Sequence, residues 1–303
     1  MENRWRWIIE WLTPESAHLW YIKKILYSGK TKYQEIDIVE TEMGVHLLID
    51  GKTQSTEFDE FIYHESLVHP ALLTHEKPSE VLVIGGGEGA TIREVLKHNV
   101  VEKVTMIDID DIMIELSKKY LLKWHKGSFN DPRVKLVIAD GREFIEKSPS
   151  ASYDIVILDV TDPTPGSPSN KLYTYEFYKS VYKVLKEDGL MVTQATSTSF
   201  SAEVFATIYY TISKVFPITR GYHVFVPSFL SMWGFVIGSK KYDPLTLSED
   251  ELKKRILARN LRNLSFYHEG IHRALFAMGK NLLELIEKTK RLSTDQTPVY
   301  MPI

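Results

Sequence analysis

The sequence predicts a doubly wound α/β domain preceded by a small antiparallel β domain, and three observations carry that prediction. From residue 80 onward, near-continuous apolar runs alternate with helical stretches, the pattern of a parallel sheet buried on both faces. The first of these runs ends in the glycine turn of "VLVIGGGEGATIREV", Val81 to Val95, and leads into a helix. Residues 31–56 instead alternate apolar and polar side chains about a Met43-Gly44 turn, as half-buried antiparallel strands do.

In chain order, "YQEIDIVET", "VHLLIDG" and "KTQST" read as the strands of the small sheet, with Ile36, Ile38, Leu47 and Ile49 on buried faces. A helix is expected from Asp59 to about Leu73, because Phe61 or Ile62, Leu67 and Leu72 fall at helical spacing. Lys77-Pro78 marks the boundary, which divides the chain into residues 1–77 and 78–303. Beyond it, strands are expected at 81–85, 103–108, 134–139, 154–159 and 189–194. Helices fit between and after them at 89–98, 111–121, 141–147, 173–186 and 201–215. "HVFVPSF" and "WGFVIGS" form a late antiparallel pair at one edge, and the tail from Ser248 to Leu292 reads as mostly helical, a packing or oligomer element.

A chain of 303 residues that is 44% hydrophobic and 25% charged reads as an ordinary globular protein. Its net charge of -3 predicts no general attraction to nucleic acid or to an anionic membrane. Cysteine is absent, which excludes disulfides, thiolate nucleophiles and cysteine metal sites. The apolar stretch Trp7 to Leu12 is interrupted by Glu10 and is too short for a membrane span or a signal segment, so a cytoplasmic protein is expected. No HExxH occurs. His64, Glu65 and His69 form the nearest histidine–acid group and are read as structural or substrate-contacting, with no metal expected.

Gly85, Gly87 and Ala90 satisfy the loose nucleotide pattern G-x-G-x-x-[GA], yet Glu88 stands inside the turn. A carboxylate there would repel a pyrophosphate by about 1 to 4 kcal/mol. The loop therefore suits a nucleoside without phosphates, or a cation. Asp108 ends the next strand about 20 residues past the glycines, where an acid can accept both ribose hydroxyls. Asp110 reads as the cap of the following helix. Asp140 ends a third strand, with Gly141 after it, and could take the exocyclic amine of an adenine. The fourth strand supplies Asp159 and Asp162, followed by "PTPGSPSNK", a surface loop long enough to act as a lid. Facing Glu88, these two acids make an acidic well suited to amines, beside a nucleoside that could carry a sulfonium.

At these positions the chain resembles the polyamine aminopropyltransferases, the spermidine synthase family. "YQEIDIVET", "LLIDGKTQSTEFDEFIYHESLVHP", "VLVIGGGEGATIREVLKH", "DGREFI" and "YDIVILDVTDP" occur in the family's order over nearly the whole length. The resemblance implies an amino-terminal β domain followed by a Rossmann-like domain of the class I methyltransferase type. It also implies transfer of an aminopropyl group from decarboxylated S-adenosylmethionine, a co-substrate with no cofactor needed, to an amine, releasing 5′-methylthioadenosine. Gln34, Asp108, Asp140, Gly141 and Pro168 then match donor-side positions, with Gly85 and Gly87 in the turn. Tyr63, His64, Glu88, Asp159 and Asp162 match the amine side, and Asp159 matches the family's proton acceptor.

The sequence departs from the familiar spermidine synthases at Glu88, usually an aspartate, in the loop after Asp162, and at Phe229, where many members have tyrosine. These departures are similar to the branch that uses agmatine or makes longer polyamines. A class I methyltransferase is the rival, but Val83 stands where its first-strand acid would be. A nicotinamide dehydrogenase is opposed by Glu88, and a non-catalytic polyamine sensor predicts binding without turnover. The family also implies a homo-oligomer, dimer or tetramer, for which Trp5, Trp7, Trp11 and Trp20 are candidate contacts, an ordinary local core being the alternative.

Overall fold

The computed structural model describes residues 6–261 and 263–301. The chain opens with a hairpin, β1 (Trp7–Thr13) and β2 (Ser16–Tyr21). A four-stranded antiparallel sheet of β3 (Lys24–Lys30), β4 (Glu35–Thr41), β5 (Gly44–Ile49) and β6 (Lys52–Thr56) follows. Helix α1 (Glu60–Thr74) leads into the larger unit, which continues with β7 (Glu80–Gly85), α2 (Ala90–Leu96), β8 (Lys103–Asp108), α3 (Asp111–Tyr120) and the short α4 (Leu122–His125). Then come β9 (Val134–Ile138), α5 (Gly141–Lys147), β10 (Tyr153–Asp159), α6 (Tyr175–Val184), β11 (Leu185–Ser197) and α7 (Ala202–Ser213). The chain finishes with β12 (Ile218–Val226), β13 (Ser231–Ser239), α8 (Glu249–Ala258), α9 (Glu269–Leu275) and α10 (Lys280–Lys288).

The large sheet runs in the order β12-β13-β11-β10-β7-β8-β9, parallel from β11 to β9, with β13 and β12 antiparallel at one edge. From β7 the chain winds outward through β8 to β9, then returns to lay β10 against the other side of β7. This reversal opens a crevice at the carboxyl ends of β7 and β10. Leu67, Val68 and Leu72 of α1 pack with Val83, Ile155 and Val192 on one face, while Phe177, Tyr178 and Val181 of α6 cover the other.

The small sheet reaches the crevice because Ile36, Ile38, Leu47 and Ile49 pack against Ala90, Met113, Leu116 and Trp124. Its opposite face is also covered: Val39, His46 and Leu48 are buried, and Trp20 of the hairpin stacks edge-on against His46 at 4.8 Å.

Several boundaries differ from the sequence expectations. The hairpin and β3 had no predicted counterpart, because the inward residue of β1 is an acid: Glu10 is buried and accepts Trp20 Nε1 at 2.7 Å and Thr53 N at 2.7 Å. The expected helix 173–186 begins only at Tyr175, where Thr174 caps it by accepting Phe177 N. The expected strand 189–194 is the middle of a longer strand, Leu185–Ser197, and α4 was not anticipated. Among the described residues no helix is long and apolar enough to cross a membrane.

Candidate active site

The glycine turn is built directly on the fourth parallel strand, since Gly85 sits opposite Asp159 in the β7–β10 pairing. Gly85 has φ +79, and a Cβ there would lie 2.1 Å from the Asp159 carbonyl oxygen, so only glycine permits the approach. The Gly86 N–H donates to that same carbonyl at 2.8 Å. The Asp159 side chain is held by two hydroxyls: Tyr63 Oη donates to Oδ1 at 2.8 Å and Thr91 Oγ1 to Oδ2 at 2.5 Å. Each carboxylate oxygen has lone-pair capacity left, so an oriented acceptor faces the crevice.

Glu88 lies across the turn. Its Oε2 accepts the Ser55 hydroxyl at 2.8 Å and stands 3.7 Å from His64 Nε2. Burial pushes the Glu88 carboxyl up to about 7, although His64 and Ser55 pull the other way. Burial alone would lower His64, but Glu60 in contact, with Glu88 and Asp159 nearby, pushes the imidazole up to about 9.

Asp108 ends β8 beside the second glycine: a Cβ on Gly87 would come 2.9 Å from its Oδ2. Its Oδ1 accepts the Asp110 N–H at 2.9 Å, and burial pushes its carboxyl up to about 7. Asp110 caps α3 through Met113 N, as the sequence predicted, and its Oδ2 also accepts Thr31 Oγ1 at 2.7 Å and Gln34 Nε2 at 2.9 Å. Those bonds bring Gln34 from the small sheet to the rim. Asp140 is exposed and caps α5 by accepting Glu143 N at 2.9 Å. A Cβ on Gly141 would meet Ile84 Cγ2 at 2.4 Å, so α5 starts hard against β7.

Asp162 Oδ1 accepts Gln194 Nε2 at 3.1 Å, and burial pushes this carboxyl up to about 6. The segment that carries the exposed Pro168 is tied back at three points: Ser169 Oγ to the Asp162 carbonyl at 3.0 Å, Tyr173 Oη to the Thr161 carbonyl at 3.1 Å, and Met301 N to the Pro163 carbonyl at 2.8 Å. Phe229 meets the Tyr63 ring edge-on at 5.9 Å and the Trp233 ring at 4.6 Å.

Among the described residues, two histidine–acid groups lie outside the crevice. His69 bonds His98 and Glu94, both at 3.0 Å, while Glu65 accepts the backbone N–H groups of Ser265, Phe266 and Tyr267. Both are committed to internal bonds. His75, Asp154 and Asp188 gather near the start of β10. There His75 Nδ1 accepts the Lys77 N–H at 3.1 Å, so the neutral ring carries its proton on Nε2, the atom that faces Asp188 at 3.6 Å. That nitrogen offers no lone pair to a metal.

The arrangement therefore joins the crevice at the switch point to three acids, Glu88, Asp159 and Asp162, set around the glycine turn. Sequence comparison agrees. Residues 60–249 match the spermine/spermidine synthase domain, and residues 6–57 match the spermidine synthase tetramerisation domain. The polyamine aminopropyltransferase of Saccharolobus solfataricus is 49% identical over 300 residues, covering 98% of this chain and 99% of that protein. The chain belongs to the spermine/spermidine synthase family and is an aminopropyltransferase. Two crystal structures are similar to it, both at 37% identity over 95% of this chain and 98% of theirs. One is a spermidine synthase in complex with the transition-state analogue AdoDATO, with a TM-score of 0.88. The other is spermidine synthase from Thermotoga maritima, with a TM-score of 0.87.

In this aminopropyltransferase the crevice draws on residues that sequence reasoning did not single out: Ser55, Thr91 and Gln194, which position Glu88, Asp159 and Asp162. Gln194 alone left a signal, as a polar residue at the end of an expected apolar strand. Ser55 and Thr91 look like ordinary strand and helix residues until the fold delivers their partners.

Proposed function

We propose that this aminopropyltransferase moves the 3-aminopropyl group of decarboxylated S-adenosylmethionine onto a di- or polyamine, with putrescine as the default acceptor and spermidine as the product. The observation that carries this reading is Asp159, oriented by Tyr63 and Thr91 at the switch point and flanked by Glu88 across the glycine turn. The amine nitrogen attacks the carbon attached to the sulfonium. The new C–N bond forms as C–S breaks, the bonding pair stays on sulfur, and neutral 5′-methylthioadenosine leaves.

The acceptor nitrogen must arrive or become unprotonated, since a primary amine titrates near 10 like lysine. Asp159 takes its proton, a role generally worth about 10² to 10⁴ in rate. Alignment of nitrogen, carbon and sulfur supplies much of the rest. Asp108 accepts the ribose hydroxyls. Gln34, Asp140, Gly141 and the loop with Pro168 enclose the donor on its nucleoside side, with Gly85 and Gly87 giving it room. Tyr63, His64, Glu88 and Asp162 line the path of the amine. Agmatine or spermidine as acceptor is the second reading, supported by Phe229, which places an apolar ring beside Tyr63.

The match to a tetramerisation domain and the exposed outer face of the hairpin support assembly of this cytoplasmic enzyme into a homo-oligomer. Trp7 and Trp11 on that face are 50% and 55% exposed, whereas Trp20 is buried at 2% and belongs to the local core. Trp5 lies outside the described residues.

Purified protein incubated with the donor and, in parallel, putrescine, agmatine, 1,3-diaminopropane and spermidine tests the reading. Methylthioadenosine and one aminopropylated amine are expected by mass spectrometry, and the amine with the highest kcat/KM names the acceptor. Nucleoside binding without product from any amine would make the chain a sensor instead.

A further inference from the structure

A line of buried charge runs beneath the rim from α2 to the glycine turn. Arg93 is 7% exposed and grips Glu60 with two prongs, Nη1 to Oε1 and Nη2 to Oε2, both at 2.9 Å. Its Nε goes to Glu94 at 2.7 Å, and its Nη1 also reaches the Trp124 carbonyl at 2.5 Å. A bidentate guanidinium holds a carboxylate strongly in its charged form. Burial opposes that charge on Glu60, but His64 and Arg93 together hold its carboxyl below the usual range.

Glu60 in turn fixes His64. The ring's Nδ1 faces two acceptors, the Glu60 carbonyl oxygen at 2.7 Å and its carboxylate Oε2 at 2.8 Å. Nδ1 must therefore carry a proton, and only Nε2 is free to change. Nε2 faces Glu88 Oε2 at 3.7 Å. Tyr63 on α1 sets its ring against that of His64 at 5.1 Å and is itself within reach of the Glu88 charge. His64 is faced by Glu60 on its own helix, Glu88 on the turn and Asp159 on β10. Glu88 is faced by His64, by Ser55 on β6, and by the carboxylates of Asp159 and Glu60. Trp124 Nε1 donates to Ser55 Oγ at 2.9 Å, which leaves the Ser55 proton directed at Glu88.

An imidazolium is an unexpected neighbour in a site for ammonium groups, because it repels them. We propose that Glu60, gripped by Arg93, is a positioning residue for the reaction: it keeps protons on both nitrogens of His64, and that imidazolium keeps Glu88 a carboxylate able to receive a substrate ammonium. Without the imidazolium, a buried Glu88 facing Asp159 and Glu60 would hold its own proton at neutral pH and meet the ammonium as a neutral acid. The inference rests on the reading of Glu88 as an ammonium contact.

Glu60→Gln in the full-length enzyme tests it, because glutamine keeps the volume and one of the two Arg93 bonds but removes the charge. Two readouts apply: the ring-nitrogen NMR shifts of His64 in histidine-labelled protein, and the pH profile of kcat/KM for the amine. In the wild type His64 stays doubly protonated through pH 8. In the variant it loses the Nε2 proton at least about one pH unit lower, and the acidic limb of the profile moves up by about one unit, a tenfold loss on that limb. His64→Gln shifts the limb the same way and serves if Glu60→Gln does not fold. An unmoved His64 titration, or a loss of activity equal at every pH, would overturn the proposal. Glu88→Gln separates the premise: an unchanged KM for the amine in that variant refutes Glu88 as the ammonium contact, while the NMR titration still reports on Glu60 and His64.

Discussion

Replacing Asp159 by asparagine isolates its proposed chemistry from its place in the fold. The carboxylate accepts two hydroxyl bonds, from Tyr63 at 2.8 Å and Thr91 at 2.5 Å. Asparagine presents one acceptor oxygen and one amide nitrogen, so one hydroxyl keeps its bond and the other must turn and accept instead. Both bonds to the carboxylate become neutral ones, a loss of about 1 to 3 kcal/mol, and the fold should survive. Loss of the proton acceptor should lower kcat by about 10² to 10⁴, or roughly 3 to 5 kcal/mol in the barrier. The assay is methylthioadenosine release with both substrates saturating, followed from pH 7 to 9.5. Without a base, turnover depends on the fraction of free amine and should climb close to tenfold per pH unit toward a pKa near 10. The wild-type profile should be flatter over the same range. A variant with kcat within about tenfold of wild type, or one whose rate ignores pH, refutes Asp159 as the proton acceptor.

Other outcomes follow from the same geometry. Gly85→Ala forces a residue at φ +79 and a Cβ 2.1 Å from the Asp159 carbonyl, so it should lower both Tm and donor affinity; the left-handed backbone alone costs about 1 to 2 kcal/mol, and a Tm within one degree of wild type would contradict the close approach. Asp108→Asn should stabilise the free protein. Burial raises the folded-state pKa of Asp108 to about 7, so its contribution is full below about 4, the unfolded value, and is lost as pH rises through 7. The variant should therefore melt above wild type at pH 8, with the gap closing toward pH 5, and should bind the donor poorly; an equal Tm at both pH values would count against burial as the cause. Trp11→Lys places a charge on the outer face of the hairpin and should lower the mass seen by light scattering, and a monomeric mass for the wild type would refute the assembly.

Much of this site was legible before folding, because electrostatics can be read from order along the chain. Glu88 inside a glycine turn excludes pyrophosphate wherever the turn ends up, and apolar runs that close on Asp108, Asp140 and Asp159 put acids at one rim once the strands are parallel. The groups that set those acids could not be read in this way. Thr91 lies 68 residues from Asp159, Ser55 lies 33 from Glu88, and Glu60 lies 33 from Arg93. The amino-terminal hairpin was hidden for a related reason: the buried residue of β1 is Glu10 while Trp7, Ile9 and Trp11 are exposed, the reverse of the pattern by which a strand is recognised.

The sequence by itself determined the sheet, the glycine turn and the sign of the charge in the crevice, since periodicity and residue type are local properties. Only the tertiary structure decided which acid is held by hydroxyls, which by an imidazolium, and which by a backbone N–H or a side-chain amide. A carboxyl group's proton affinity depends on the charges, donors and water within a few ångströms of it, and here those neighbours come from strands and helices distant in the chain.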